Sequence, residues 1–148
     1  MPPLSPGWVP IAHDTWPGAT GWTSNEDLTV TDCGSSTMLG GYNAFGAGAY
    51  VEKTFNLSGV PHTHVRFEVD FYKIDSWDVG ESAQLYINDE MVWSASYYNQ
   101  GSALCGHSGY PTDLVDAVSC MPPPTEPETL PRAVSLSLLV RPPAAAAC

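Results

Sequence analysis

The stretch His64-Val65-Arg66-Phe67-Glu68-Val69-Asp70-Phe71 decides the fold class. Its apolar residues fall on every odd position and its polar residues lie between them. That period of two belongs to a strand with one face turned to a core. After Tyr72-Lys73 the parity slips at Ile74, which marks a bulge or the end of the strand. Downstream, Ala83, Leu85 and Ile87 repeat the alternation, and Asn88-Asp89-Glu90 turns the chain into Met91-Val92-Trp93. Val134, Leu136, Leu138 and Val140 alternate once more before Pro142-Pro143 closes the segment. Upstream, residues 49–55 are β-branched or aromatic enough for a strand. Leu28-Thr29-Val30-Thr31 predicts a shorter one, and Trp8-Val9-Pro10-Ile11-Ala12 opens another. Apolar residues nowhere recur at helical spacing over a helix-length window.

Evenly spaced strands separated by Gly/Pro turns predict an all-β fold, an antiparallel β-sandwich. Strands near both ends of the chain suit a jelly-roll-like arrangement. The 148 residues suffice for one domain with a substantial core. Most of the 14 prolines lie in 1–17 and 122–143, outside the central strands. The expected organisation is therefore an extended Pro-rich arm over 1–7 and a sandwich over 8–120. A Pro-rich connector over 121–132, the final strand of the sandwich over 133–141 and an extended tail over 142–148 follow.

Sixteen acidic residues against five basic ones leave a net charge of -11. Such a surface lacks the basic footprint that nucleic acid or an anionic membrane requires, and no window is apolar enough to span a bilayer. The cysteines, Cys33, Cys105, Cys120 and Cys148, are even in number and show no C-x-x-C spacing, so disulfides are expected rather than a zinc site. Their pairing is open, with a lean toward Cys105–Cys120 because those two bracket a Gly/Ser/Pro loop. Asn56-Leu57-Ser58 is the one N-glycosylation sequon. The start, Met1-Pro2-Pro3-Leu4-Ser5-Pro6, has neither the basic nor the apolar region of a signal peptide. With secretion expected from composition, either a signal has been removed or the chain is part of a longer one.

The most unusual stretch is Tyr72-Lys73-Ile74-Asp75-Ser76-Trp77-Asp78-Val79-Gly80-Glu81. Asp75, Asp78 and Glu81 leave a strand on a short loop. Hard cations take several oxygens converging from such a bend, which makes the loop a candidate calcium site. Asp113 and Asp116 are weaker candidates to complete it. A solvated acidic turn with Trp77 packed over the sandwich edge is the competing reading. His62 and His64 share one face of an extended segment but lack a clear third metal ligand. No Gly-x-Ser-x-Gly elbow occurs, and nothing else indicates an enzyme. Trp16, Trp22, Tyr42, Tyr97, Tyr98 and Tyr110 fall in loops, where flat rings bind sugars or partner proteins. Trp77, Tyr97, Tyr98 and Tyr110 are the candidate ligand-binding residues.

The run from Ala49 to Trp93 resembles a galactose-binding-like jelly-roll domain of large extracellular and ciliary-surface proteins of algae and ciliates. The resemblance is carried by Val60-Pro61-His62-Thr63-His64-Val65 leading into Phe71-Tyr72-Lys73-Ile74-Asp75-Ser76-Trp77-Asp78 and Gly80-Glu81. Ala133-Val134-Ser135-Leu136-Ser137-Leu138 is similar to that family's closing strand. The resemblance implies an extracellular domain at a cell or cilium surface, with Asp75, Asp78 and Glu81 as its ion site. The expected function is a non-enzymatic, glycosylated structural subunit of a surface coat or filament, self-associating through its terminal arms. The alternative is a calcium-assisted, lectin-like carbohydrate-binding module.

Overall fold

A computed structural model describes residues 7–106, 113–121 and 133–141. Residues 1–6 of the expected 1–7 arm, the tail over 142–148, Tyr110, Cys148 and nearly all of the connector lie outside the described residues. The described chain forms nine strands: β1 (Thr23–Ser24), β2 (Val30–Cys33), β3 (Ser36–Leu39), β4 (Tyr50–Asn56), β5 (Phe67–Lys73), β6 (Ser82–Ile87), β7 (Glu90–Ala95), β8 (Leu114–Cys120) and β9 (Ala133–Arg141). A five-stranded sheet has the order β1-β4-β9-β6-β7, and two ribbons pair β2 with β3 and β5 with β8. Every pairing is antiparallel, so the all-β, sandwich-like class holds.

Alternation builds the core. Along β5 the residues Phe67, Val69, Phe71 and Lys73 turn inward while Glu68 and Asp70 are exposed. Ala83, Leu85 and Ile87 of β6 are at most 1% exposed, and Val134 and Leu136 of β9 pack in the same cluster with Phe71 and Val118. Burying each of Leu85, Ile87 and Val134 there stabilises the fold by about 1.5–3 kcal/mol. The β6–β7 hairpin closes on Asn88 and Asp89, both in left-handed conformation, as a two-residue turn of this twist demands. Asn88 also joins the hairpin to β9: its N–H donates to the Ser135 carbonyl, and its Oδ1 accepts from the Ser135 N–H.

Two expectations need correction, and one strand was missed. Residues 8–12 form no strand. The decisive strand begins at Phe67 rather than His64, because His62 and His64 are held by local contacts before the ladder starts. And β8 was not foreseen from the sequence, because Asp116 occupies an inward position opposite Phe71 and interrupts the apolar alternation of Leu114, Val118 and Cys120.

Candidate functional site

At the end where β5 finishes and β8 begins, the chain gathers charge in its interior. Lys73 continues the inward parity of Phe67, Val69 and Phe71, and its side chain is fully buried. Its Nζ donates to the Gln100 carbonyl at 3.1 Å. Burial pulls the Lys73 pKa down, and attraction to the carboxylates of Asp113 and Asp75 opposes that shift. Asp113 is 2% exposed. Backbone bonds with Ser102 in both directions fold the 100–106 loop over it. Its Oδ2 accepts three consecutive N–H groups, from Leu104 (3.0 Å), Cys105 (2.9 Å) and Gly106 (2.8 Å). Its Oδ1 accepts the Asp75 N–H at 2.6 Å. Burial alone would raise the Asp113 pKa, but these four donors outweigh it and hold the carboxyl below its ordinary range. Asp75 reaches the cluster from a left-handed conformation at φ 58°. A Cβ on Gly106 would stand 2.1 Å from Asp75 Oδ1 and 2.6 Å from Asp113 Oδ1, so only glycine lets the two carboxyl groups close over this loop.

The acidic loop is thus divided rather than gathered. Asp75 turns to the buried cluster. Asp78 and Glu81 cap their own turn, with the Asp78 N–H donating to Glu81 Oε2 at 2.6 Å and the Glu81 N–H to the Asp78 carbonyl. Asp116 accepts the Tyr97 hydroxyl. Among the described residues no three His, Cys, Asp or Glu side chains are placed to hold a metal ion. In the interior the positive charge beside Asp113 and Asp75 is the Lys73 ammonium.

The aromatic candidates separate in the same way. Tyr97 is buried at 8% exposure and stacks on Phe71 at 6.1 Å. Trp77 packs edge-on against both Phe71 and Tyr97. Tyr97 belongs to the core rather than to an open ligand-binding loop, and Trp77 packs on that core, as the competing reading of the acidic turn had it, because the loops carrying them fold back over the sheet end. Burial, the bond to Asp116 and that carboxylate's charge together push the Tyr97 pKa up. Tyr98 and Tyr42 are exposed, at 51% and 46%. Trp16 and Trp22 pair at 6.2 Å, and the Trp22 Nε1–H and the Lys53 ammonium both donate to Asp14.

Cys33 and Cys105 form a disulfide between the β2–β3 ribbon and the loop that cradles Asp113. The lean toward Cys105–Cys120 is therefore overturned. Cys120 faces inward from β8 opposite Phe67, and burial pushes the pKa of its free thiol up. Asn56 is exposed at the end of β4, with its Oδ1 accepting the Ser58 N–H. The burial of Lys73 was missed from sequence, although its parity with Phe71 already pointed inward.

The fold and this cluster define an all-β domain, joined by one disulfide among the described residues, with buried Lys73 and Asp113 and half-buried Asp75 at one end. No known family, curated protein or solved structure matches the chain.

Proposed function

We propose that the protein is a non-enzymatic structural subunit of an extracellular coat or filament at a cell or cilium surface. Copies join through sheet edges and the Pro-rich arms, with the strands in a jelly-roll-like order and a glycan on Asn56. The observation that carries this reading is β7. It is the outer strand of the five-stranded sheet, and its sequence Glu-Met-Val-Trp-Ser-Ala contains neither the Lys nor the Pro that usually blocks an edge. Met91 on it is 52% exposed. Among the described residues the β5–β8 ribbon is likewise open on its outer sides. An extended segment of a neighbouring copy adds to such an edge through backbone bonds, and repeated contacts that do not close produce a filament.

Sedimentation of the full chain over a wide concentration range tests the reading. Association is expected, and Met91→Lys or removal of residues 1–7 is expected to weaken it. A chain that stays monomeric at every concentration overturns the proposal. The calcium-assisted sugar-binding alternative draws on exposed Tyr42 and Tyr98. It fails if calorimetry with calcium and with a panel of glycans gives no binding heat.

A further inference from the structure

Two ribbons, β2–β3 and β5–β8, stand apart from the five-stranded ladder, and among the described residues neither β3 nor β5 pairs on its other side. An open cavity of about 1980 Å³ lies against both, lined by residues 36–39 of β3 and 67–72 of β5. Consecutive residues of both parities line it, so each strand presents an edge to the cavity and not only a face. Val51, Phe55, Leu138 and Val140 also line it, from the core side of the five-stranded sheet. Unpaired strand edges beside an apolar floor are what an incoming strand needs. Residues 8–12 supply a matching element. Trp8-Val9-Pro10-Ile11-Ala12 has the composition of a strand and lines the same cavity, yet it enters no ladder. Its backbone makes no hydrogen bond to any described residue. Both ends of the stretch are held on their own chain. The Trp8 ring lies 4.8 Å from the Arg66 guanidinium, and Asp14 accepts from Lys53 and Trp22. Between these anchors Val9 is 75% exposed and Ile11 49% exposed, so the apolar pair faces water instead of its own chain's floor.

We propose that this cavity is a strand-acceptor groove, and that its occupant is the 8–12 segment of a second copy of the chain. The proposal rests on the assembly reading above and gives that assembly a defined contact. In an extended segment Val9 and Ile11 share one face, which lies on the apolar floor, while Trp8, Pro10 and Ala12 face outward. Pro10 brings no N–H, but its absence is confined to one side of the segment. The backbone groups of Val9 and Ile11 point to one flanking edge, and those of Trp8, Pro10 and Ala12 to the other. One edge is therefore fully paired, and the other lacks a single donor. Charge favours the same occupant. Each chain carries a net charge of -11, yet residues 8–12 and the four floor residues are all uncharged, so here two copies meet without opposing like charges. Segment and groove are different surfaces of one molecule. A copy can give its segment to one neighbour and receive that of another, which is the head-to-tail contact that a filament requires.

The test adds a synthetic peptide of residues 7–14 to the full chain at high dilution and follows amide hydrogen exchange. Slower exchange in β3 and β5 is expected, and none with the same peptide carrying Val9→Ser and Ile11→Ser. Placed in the full chain, that pair of substitutions is expected to weaken association about a hundredfold in sedimentation, because two aliphatic side chains no longer leave water. The urea midpoint of the dilute chain should not move, since both side chains already face water there. A peptide that leaves β3 and β5 unprotected overturns the proposal. So does a double variant that associates like the wild type, although copies would then join elsewhere and the assembly reading would stand. A lowered urea midpoint with unchanged association would put the segment in its own chain's groove and overturn the second copy as occupant. A wild-type chain that never associates overturns the assembly reading and this contact together.

Discussion

Removing the Cys33–Cys105 disulfide is the perturbation with the best-defined magnitude. The bonded cysteines are 72 residues apart, so the bridge encloses about half of the chain. In the chain-entropy account, a loop of that length costs the unfolded state about 4 kcal/mol of freedom. Domains of this kind are stable by only about 5–15 kcal/mol, so the loss is a large fraction of the total. The assay is urea unfolding of the full chain and of Cys33→Ala, Cys105→Ala and the double variant. Each single variant is expected to lose about 4 kcal/mol. The double variant should lose no more than either single one, because both remove the same bond. Cys120→Ala, which removes only a half-buried free thiol, should cost about 1 kcal/mol. Additive losses from Cys33 and Cys105 would refute the reasoning. So would a Cys120→Ala loss as large as theirs, since that would place the stabilising bridge on Cys120.

Two further substitutions probe the interior of the same end. Tyr97→Phe removes the donor to Asp116 and is expected to cost about 1–3 kcal/mol, measured by the same unfolding assay. The folded-state pKa of Tyr97 is raised, so its contribution is fully present below the ordinary tyrosine pKa of about 10 and is lost as pH rises through the higher folded value. Ultraviolet titration should therefore show a tyrosine that ionises only as the fold opens in alkali, and that behaviour should vanish in Tyr97→Phe. Gly106→Ala would push a methyl group against the Asp75 and Asp113 oxygens. An overpacking cost of about 1–3 kcal/mol is expected, and a stable variant would show that the loop is not held as described.

The strands were legible wherever one face is apolar throughout. Val65 to Phe71, Ala83 to Ile87 and Val134 to Val140 alternate cleanly, and these segments supply the main strands of the core. The turn at Asn88-Asp89 was legible because those residues tolerate the left-handed backbone that the hairpin needs. β8 was hidden by Asp116, whose inward position is acceptable only because Tyr97, distant in sequence, donates to it. The buried cluster was hidden for the same reason. Asp75 carried the signature of an ion ligand, yet its partner Asp113 lies 38 residues away. Nothing local shows that three consecutive N–H groups will converge on that carboxylate. Tyr97 was read as a loop ring because loop position says nothing about which way a loop folds, whereas Trp77 packs as the competing reading of the acidic turn had it.

On the proposed coat or filament reading, the net charge of -11 bears on how copies would meet. Each cation whose side chain is described is already engaged within its own chain: Lys53 pairs with Asp14 at 2.6 Å, Arg66 with Glu68 at 3.0 Å, and Lys73 is buried. On that reading, contact between copies would bring acidic surfaces together with little from these residues to neutralise them, and the attraction would come from strand edges and apolar residues such as Met91. Repulsion of this kind is screened over about 10 Å at 0.1 M salt. Association measured by sedimentation is thus expected to strengthen as sodium chloride rises from about 10 mM to about 150 mM. Calcium should match sodium at equal ionic strength, because no carboxylate cage is formed among the described residues. Association that weakens with salt would mean that complementary charges hold the copies together and would refute the edge-contact argument. A much larger response to calcium would instead return Asp78 and Glu81 to the role of ion ligands, now shared between subunits.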